Sequence, residues 1–238
     1  MRLLVSVRSV EEALVAARGG ADFIDLKEPR AGALGGLPVA TIRAIVAALR
    51  EQGIRLPVSA TIGDLAMDSP VELLAQVHAV GACAVDYVKV GIAPEPQAIA
   101  VLDALARCGW PIVPVFLADR GIDFAQLDHA CRLGFPGIMA DTADKHAGSL
   151  FDAVPQASLR RFVGRVREAG VMVGLAGALR AADAPALLAL EADFAGFRTA
   201  VCHGDRASAL DPQRLRSLAI ALRPSTLAAS HQPLTSGA

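Results

Sequence analysis

The sequence predicts an α/β protein folded as one TIM barrel, the closed (β/α)8 arrangement, and three observations lead there. Short apolar runs alternate eight times with Ala-, Leu- and Arg-rich stretches of helical period. Those runs are almost free of polar residues, as strands of a parallel sheet buried on both faces must be. The chain is 238 residues long, which suits a barrel as a single domain.

In chain order the expected strands are Leu3–Val7, Phe23–Lys27, Pro57–Ile62, Tyr87–Gly91, Ile112–Leu117, Gly137–Asp141, Met172–Leu175 and Phe194–Arg198. Helices fall between them near 9–18, 38–52, 69–80, 95–108, 123–133, 155–169, 180–190 and 211–222. The first helix announces itself by Ser9 with Glu12 three residues on, a capping pair. Glycines just beyond periodic runs, Gly19-Gly20, Gly53, Gly81, Gly109, Gly134 and Gly170, suit left-handed helix caps. An open doubly wound sheet is the runner-up, but the turn after its first strand would be glycine-rich, and here it reads Ser6-Val7-Arg8-Ser9. No linker divides the chain: residues 1–222 form the expected barrel domain, and from Arg223 the periodicity stops, so 223–238 are expected to be a disordered, flexible tail.

Composition excludes several classes. A formal net charge of -1 leaves no basic footprint for nucleic acid or an acidic membrane. No window reaches the ~20 apolar residues of a membrane span. Cys83, Cys108, Cys131 and Cys202 are widely spaced, read as reduced small hydrophobes, and form no metal-finger pattern. With no signal-peptide pattern at the start, the expected location is the cytoplasm. A homo-oligomer is compatible with the sequence, which does not decide the point.

The informative bias lies among the 23 basic residues: 20 are Arg, and only Lys27, Lys89 and Lys145 are Lys. A chain that meets its need for surface cations with Arg raises the question of what an amine does that a guanidinium does not. On the barrel map Lys27 ends strand 2, Lys89 lies in strand 4 and Lys145 follows strand 6 by four residues. Barrel sites are built from strand C-termini, and an interior layer draws on alternate strands. Asp25 precedes Lys27 by two, so both side chains point to one face. A partly desolvated Lys at that mouth, flanked by cations, has its pKa lowered and supplies the neutral amine of Schiff-base chemistry. Asp25 either moves protons there or simply neutralises Lys27. Asp64, Asp119 and Asp141 end strands 3, 5 and 6 and either cap the next helix or face the site; Asp141 shares the even-strand layer.

The loops after strands 7 and 8 contain Gly177, Gly204, Asp205 and small neighbours, which suit a phosphate site of backbone N–H groups and a helix N-terminus. Arg198 and Arg206 would add charge-assisted bonds. The expected ligand is therefore a small phosphorylated molecule. His146 and His203 lie in loops on the same face without a second ligand at metal spacing, so no metal is expected, and neither a nucleophile elbow nor a P-loop occurs.

Asp25-Leu26-Lys27-Glu28-Pro29, Val58 to Asp64, Tyr87-Val88-Lys89-Val90-Gly91, Asp141-Thr142 with Lys145, Leu175-Ala176-Gly177 and Arg198 to Arg206 occur in order along the chain. Together they resemble the (5-formylfuran-3-yl)methyl phosphate synthases, also called 4-(hydroxymethyl)-2-furancarboxaldehyde-phosphate synthases. The resemblance runs from Leu3 to about Leu222. It implies a TIM-barrel lyase that condenses two glyceraldehyde 3-phosphates, with loss of phosphate and water, for methanofuran biosynthesis in one-carbon metabolism. It also implies Lys27 as the Schiff-base residue, with Asp25, Lys89, Asp141 and Lys145 as acid/base and charge-stabilising groups and Asp64 in substrate binding, and no cofactor. Two alternatives stay open from the residues: another Schiff-base aldolase acting on sugar phosphates, or a non-catalytic phospho-metabolite-binding barrel.

Overall fold

A computed structural model describes residues 1–144 and 147–223. Eight parallel strands, β1 (Arg2–Val7), β2 (Phe23–Leu26), β3 (Val58–Thr61), β4 (Tyr87–Ile92), β5 (Ile112–Leu117), β6 (Gly137–Asp141), β7 (Met172–Leu175) and β8 (Phe194–Phe197), close into a barrel in sequence order. Closure is made by β1 against β8, with Arg2 opposite Phe194 and Val5 opposite Phe197. The expected strand positions hold to within a residue or so at each end. The helices are α1 (Val10–Arg18), α2 (Val39–Glu51), α3 (Pro70–Gly81), α4 (Ala98–Arg107), α5 (Phe124–Arg132), α6 (Leu150–Ala153), α7 (Gln156–Glu168), α8 (Ala184–Leu190) and α9 (Pro212–Ala221).

Ser9, Asp123 and Asp211 cap α1, α5 and α9 by accepting backbone N–H groups of the first turn. The sequence reading did not include α6, which spans a single turn and so has no readable period; its signal is the reciprocal capping box of Ser149 and Asp152. Gly81 corrects the expectation of a left-handed cap. It lies inside α3 with the Trp110 ring packed where a side chain would begin, and the left-handed residue nearby is Ala84, at φ 60°. Gly19 is likewise right-handed, and Gly20 takes the positive φ.

Arg223, assigned to the tail from sequence, belongs to the folded body: its guanidinium donates to the Gly20 carbonyl and the Asp22 carboxylate. The remainder of the expected tail, 224–238, lies outside the described residues.

Two apolar regions share the strands. The larger packs the outward faces of the sheet against the helices, through residues such as Ile24, Val88, Ile138 and Phe162. The smaller fills the lumen: Leu4, Phe23, Val113, Val115, Met139 and Phe194 meet there, with the Phe23 and Phe194 rings 5.3 Å apart. The Arg2 guanidinium covers the Phe23 ring from below. This apolar floor occupies the N-terminal part of the lumen, and the pocket lined by Asp25, Lys27, Lys89 and Asp141 lies toward the strand C-termini.

Candidate active site

The mouth of the lumen is built by the inward phase of the same strands. On β2 that phase runs Phe23, Asp25, Lys27: the aromatic belongs to the floor, the next position is a carboxylate and the third is an amine. Asp25 is 1% exposed. One of its oxygens accepts from Lys89 Nζ at 3.0 Å and Ser59 Oγ at 2.7 Å, and the other accepts from Ser6 Oγ at 2.9 Å. Register explains the set, since Ser6, Asp25 and Ser59 lie side by side on β1, β2 and β3.

Burial alone would push the Asp25 carboxyl upward. The ammoniums of Lys89 and Lys27 and the Ser59 hydroxyl outweigh it, so its pKa falls below the ordinary value and the group is ionised. Lys89 sits mid-strand in β4, is 2% exposed and lines the same pocket.

Lys27 follows β2 directly and is 8% exposed. Its Nζ lies 3.4 Å from Asp141 Oδ2, across the barrel on the last residue of β6. The other Asp141 oxygen accepts the Thr142 backbone N–H at 2.7 Å, which leaves the carboxylate facing the amine. Lys27, Asp25, Lys89, Asp141, Gly177 and Arg206 all line one pocket at this end. Lys145 lies outside the described residues.

The phosphate side divides differently from expectation. Arg198 touches the pocket, but its five N–H groups all have acceptors within the protein. Nε bonds the Arg206 carbonyl; Nη1 bonds the Ser6 carbonyl and Glu12; Nη2 bonds Glu12 and the Ser208 carbonyl. With every donor engaged it has none to offer an anion, which corrects its assignment as a phosphate ligand. Gly204 and Asp205 are exposed and outside the pocket lining; Asp205 instead fastens its own turn by accepting from Ala207 N–H and Ser208 Oγ. Asp64 is also displaced from the expected role. Its carboxylate accepts the Leu34 N–H at 2.9 Å, fixing the β2–α2 loop, and it lines a neighbouring cavity. Asp119 does similar work for the β6 loop, accepting from the N–H groups of Ala143 and Asp144.

Arg206 is different. It is half-buried in the pocket, and its guanidinium makes one hydrogen bond among the described residues, 3.3 Å to the Gly32 carbonyl. Burial lowers its pKa, with Asp141 opposing. Gly177 closes the pocket at φ 121°, and a side chain there would strike Thr142. His203 is exposed beside Asp211 at 3.3 Å, and His146 lies outside the described residues. Among the described residues no group of three His, Cys, Asp or Glu side chains is placed to hold a metal ion. The sequence reading missed Ser6, Ser59 and Glu12 as members of the site's framework. For the two serines the available signal was a polar residue in the inward phase of an otherwise apolar strand.

The 4-HFC-P synthase family model matches residues 3–219. The chain belongs to this family. Among 4-HFC-P synthase relatives, the (5-formylfuran-3-yl)methyl phosphate synthase of Methanosarcina barkeri is 32% identical over 232 residues, covering 92% of this chain and 97% of that one. The enzyme of the same name from Methanopyrus kandleri is 36% identical, covering 93% and 98%. A provisionally named relative from Methylorubrum extorquens is 39% identical, covering 93% and 92%. Solved structures extend the likeness in fold alone: phosphoribosyl anthranilate isomerase from Thermus thermophilus superposes with a TM-score of 0.66 at 20% identity, covering 94% of this chain and 98% of that one. As a member of a synthase family the chain is an enzyme, and among the described residues no helix is long and apolar enough to cross a membrane.

Proposed function

We propose that this synthase condenses two molecules of glyceraldehyde 3-phosphate to (5-formylfuran-3-yl)methyl phosphate through a Schiff base on Lys27, in methanofuran biosynthesis. The observation that carries the reading is the Lys27 amine, almost buried at the barrel mouth 3.4 Å from Asp141, in a chain whose relatives are named for that furan phosphate. Two trioses, less one phosphate and two waters, balance the product.

The Lys27 amine adds to the aldehyde carbon of one triose and water leaves, forming the imine. Its positive nitrogen withdraws electrons from the adjacent carbon, whose proton passes to a carboxylate; Asp141 lies nearest the amine. The resulting enamine expels phosphate from its third carbon, which as the enol terminus bonds to the carbonyl carbon of the second triose in its ketone form. The primary hydroxyl of that second triose closes the ring on the central carbon of the first, two waters leave as the furan forms, and hydrolysis of the imine, which takes up the water lost in making it, returns Lys27 as the free amine. Asp25 and Lys89 hold the field beneath the imine with a buried ion pair 3.0 Å long. Lys145 is assigned by the family resemblance to the same acid/base and charge-stabilising group, and Arg206 receives a substrate phosphate.

Borohydride reduction of the enzyme with glyceraldehyde 3-phosphate, followed by peptide mass mapping, tests the imine. The expected result is a triose adduct on the peptide containing Lys27; no adduct there overturns the Schiff base. Release of one phosphate per two trioses, together with a near-ultraviolet furan aldehyde, separates this reaction from another aldolase or a binding protein.

A further inference from the structure

We propose that the buried Glu12–Arg198 pair is a positioning device that holds the β8–α9 loop so that Arg206 presents its guanidinium to a substrate phosphate. The proposal rests on the reading of the site as one for phosphorylated trioses and adds to it residues that do not touch the ligand.

Glu12 lies in the first turn of α1 and is 8% exposed, an unusual place for a carboxylate on a helix that packs against the barrel. Its two oxygens take both ends of the Arg198 guanidinium, at 2.6 Å and 3.0 Å, and one also accepts the Arg8 N–H. This bidentate fork fixes the plane of Arg198. The remaining Arg198 donors then grip the Arg206 and Ser208 carbonyls, each at 2.8 Å, while Arg8 Nη2 takes the intervening Ala207 carbonyl at 2.8 Å.

Three consecutive carbonyls of one loop are thus held by two guanidiniums. Both belong to the β1–α1 corner or are anchored on it. The residue whose carbonyl is held first, Arg206, is the one whose side chain enters the pocket. Arg198 also reaches the Ser6 carbonyl, and the Ser6 hydroxyl bonds Asp25, so the loop and the carboxylate share one frame.

Such a buried pair contributes little stability over an apolar replacement. Its effect here is geometric: without it the loop keeps only the Arg8 hook to the β1–α1 corner, and Arg206 loses its fixed aim. The Glu12 carboxylate acts on the ligand only through Arg206.

The test uses inorganic phosphate as the probe, its dissociation constant measured by calorimetry, beside steady-state kinetics with glyceraldehyde 3-phosphate. Glu12→Gln is expected to weaken phosphate binding about tenfold, the equivalent of one charge-assisted contact, and to raise KM more than it lowers kcat. Arg206→Ala is expected to weaken it at least as much, and adding Glu12→Gln to Arg206→Ala to change it by less than about twofold, since the two act as a unit.

If Glu12→Gln fails to fold, Arg8→Met removes the Ala207 hook and the 3.9 Å Arg8–Glu12 ion pair while keeping the Glu12–Arg198 fork, and is expected to weaken phosphate binding about threefold on the same scale. Wild-type phosphate affinity in either variant overturns the proposal. So does a Glu12→Gln effect of equal size with and without Arg206. A wild-type protein that binds phosphate through Arg206 and Glu12 but makes no furan aldehyde overturns the proposed reaction while supporting the positioning device.

Discussion

The two ends of the lumen are made by the same strands two residues apart, yet they have opposite chemistry. At the floor, Phe23, Phe194, Val113 and Met139 exclude water and interlock. At the mouth, Asp25, Lys27, Lys89 and Asp141 occupy the next inward positions and carry four formal charges in a nearly dry space. The floor tolerates no polar group because none would find a partner; the mouth keeps its charges because each amine faces a carboxylate. Stability and chemistry are therefore divided along the barrel axis, which is the general layout of this fold.

The largest effect expected from breaking the division is at the mouth. Lys27→Arg keeps the charge beside Asp141 but removes the amine proposed as the Schiff-base nucleophile. It should lower turnover by at least about a thousandfold, the scale on which loss of a covalent nucleophile acts, with a melting temperature near that of the wild type. Wild-type turnover would reduce Lys27 to a mere positive charge.

Asp25→Asn should cost stability as well as activity, because it leaves the Lys89 ammonium buried without its anion, a loss of about 3–5 kcal/mol in denaturant unfolding. The acid profile sharpens this. The folded-state pKa of Asp25 lies below the ordinary 3.8, so its contribution is present above that value and is lost as pH falls through the folded-state value. The stability gap between wild type and Asp25→Asn should therefore narrow on acidification below about pH 4; a gap that widens would reverse the sign.

Phe194→Ala strikes the floor. Loss of the ring should cost about 3–5 kcal/mol by urea titration while leaving phosphate affinity unchanged, since the ring lies below the pocket. A large fall in phosphate affinity would show the two ends to be coupled. Gly177→Ala gives the smallest effect, about 1–3 kcal/mol in thermal unfolding, from its φ of 121° and the approach of the new methyl to Thr142.

Much of this contrast is legible in the chain. Each strand is announced by its own apolar run, and the pairing of Asp25 with Lys27 on one face follows from the period of two. The scarcity of Lys points to the amines before any fold is known. Partners from distant segments are not legible. Lys27 meets Asp141 only because the sheet closes, and Lys89 meets Asp25 only through the register of β2, β3 and β4. Arg198 is instructive: in a glycine-containing loop at a strand end it has the local signature of a phosphate ligand, and Glu12, brought from α1, takes the donors that such a role requires. Asp64 and Asp205 also lie in loops after strands, and each carboxylate is used instead to fix its own surroundings, Asp64 by accepting the Leu34 N–H and Asp205 by accepting from Ala207 and Ser208.

The sequence by itself determined the eight βα units, the end of the barrel that carries the chemistry and the residue types available there, because periodicity fixes which face a side chain takes. Only the tertiary structure decided which charge meets which and which of two arginines keeps donors for a ligand. Those outcomes depend on register and closure between segments far apart in the chain, from the 64-residue separation of Asp25 and Lys89 to the 186 residues between Glu12 and Arg198, and no local pattern encodes them.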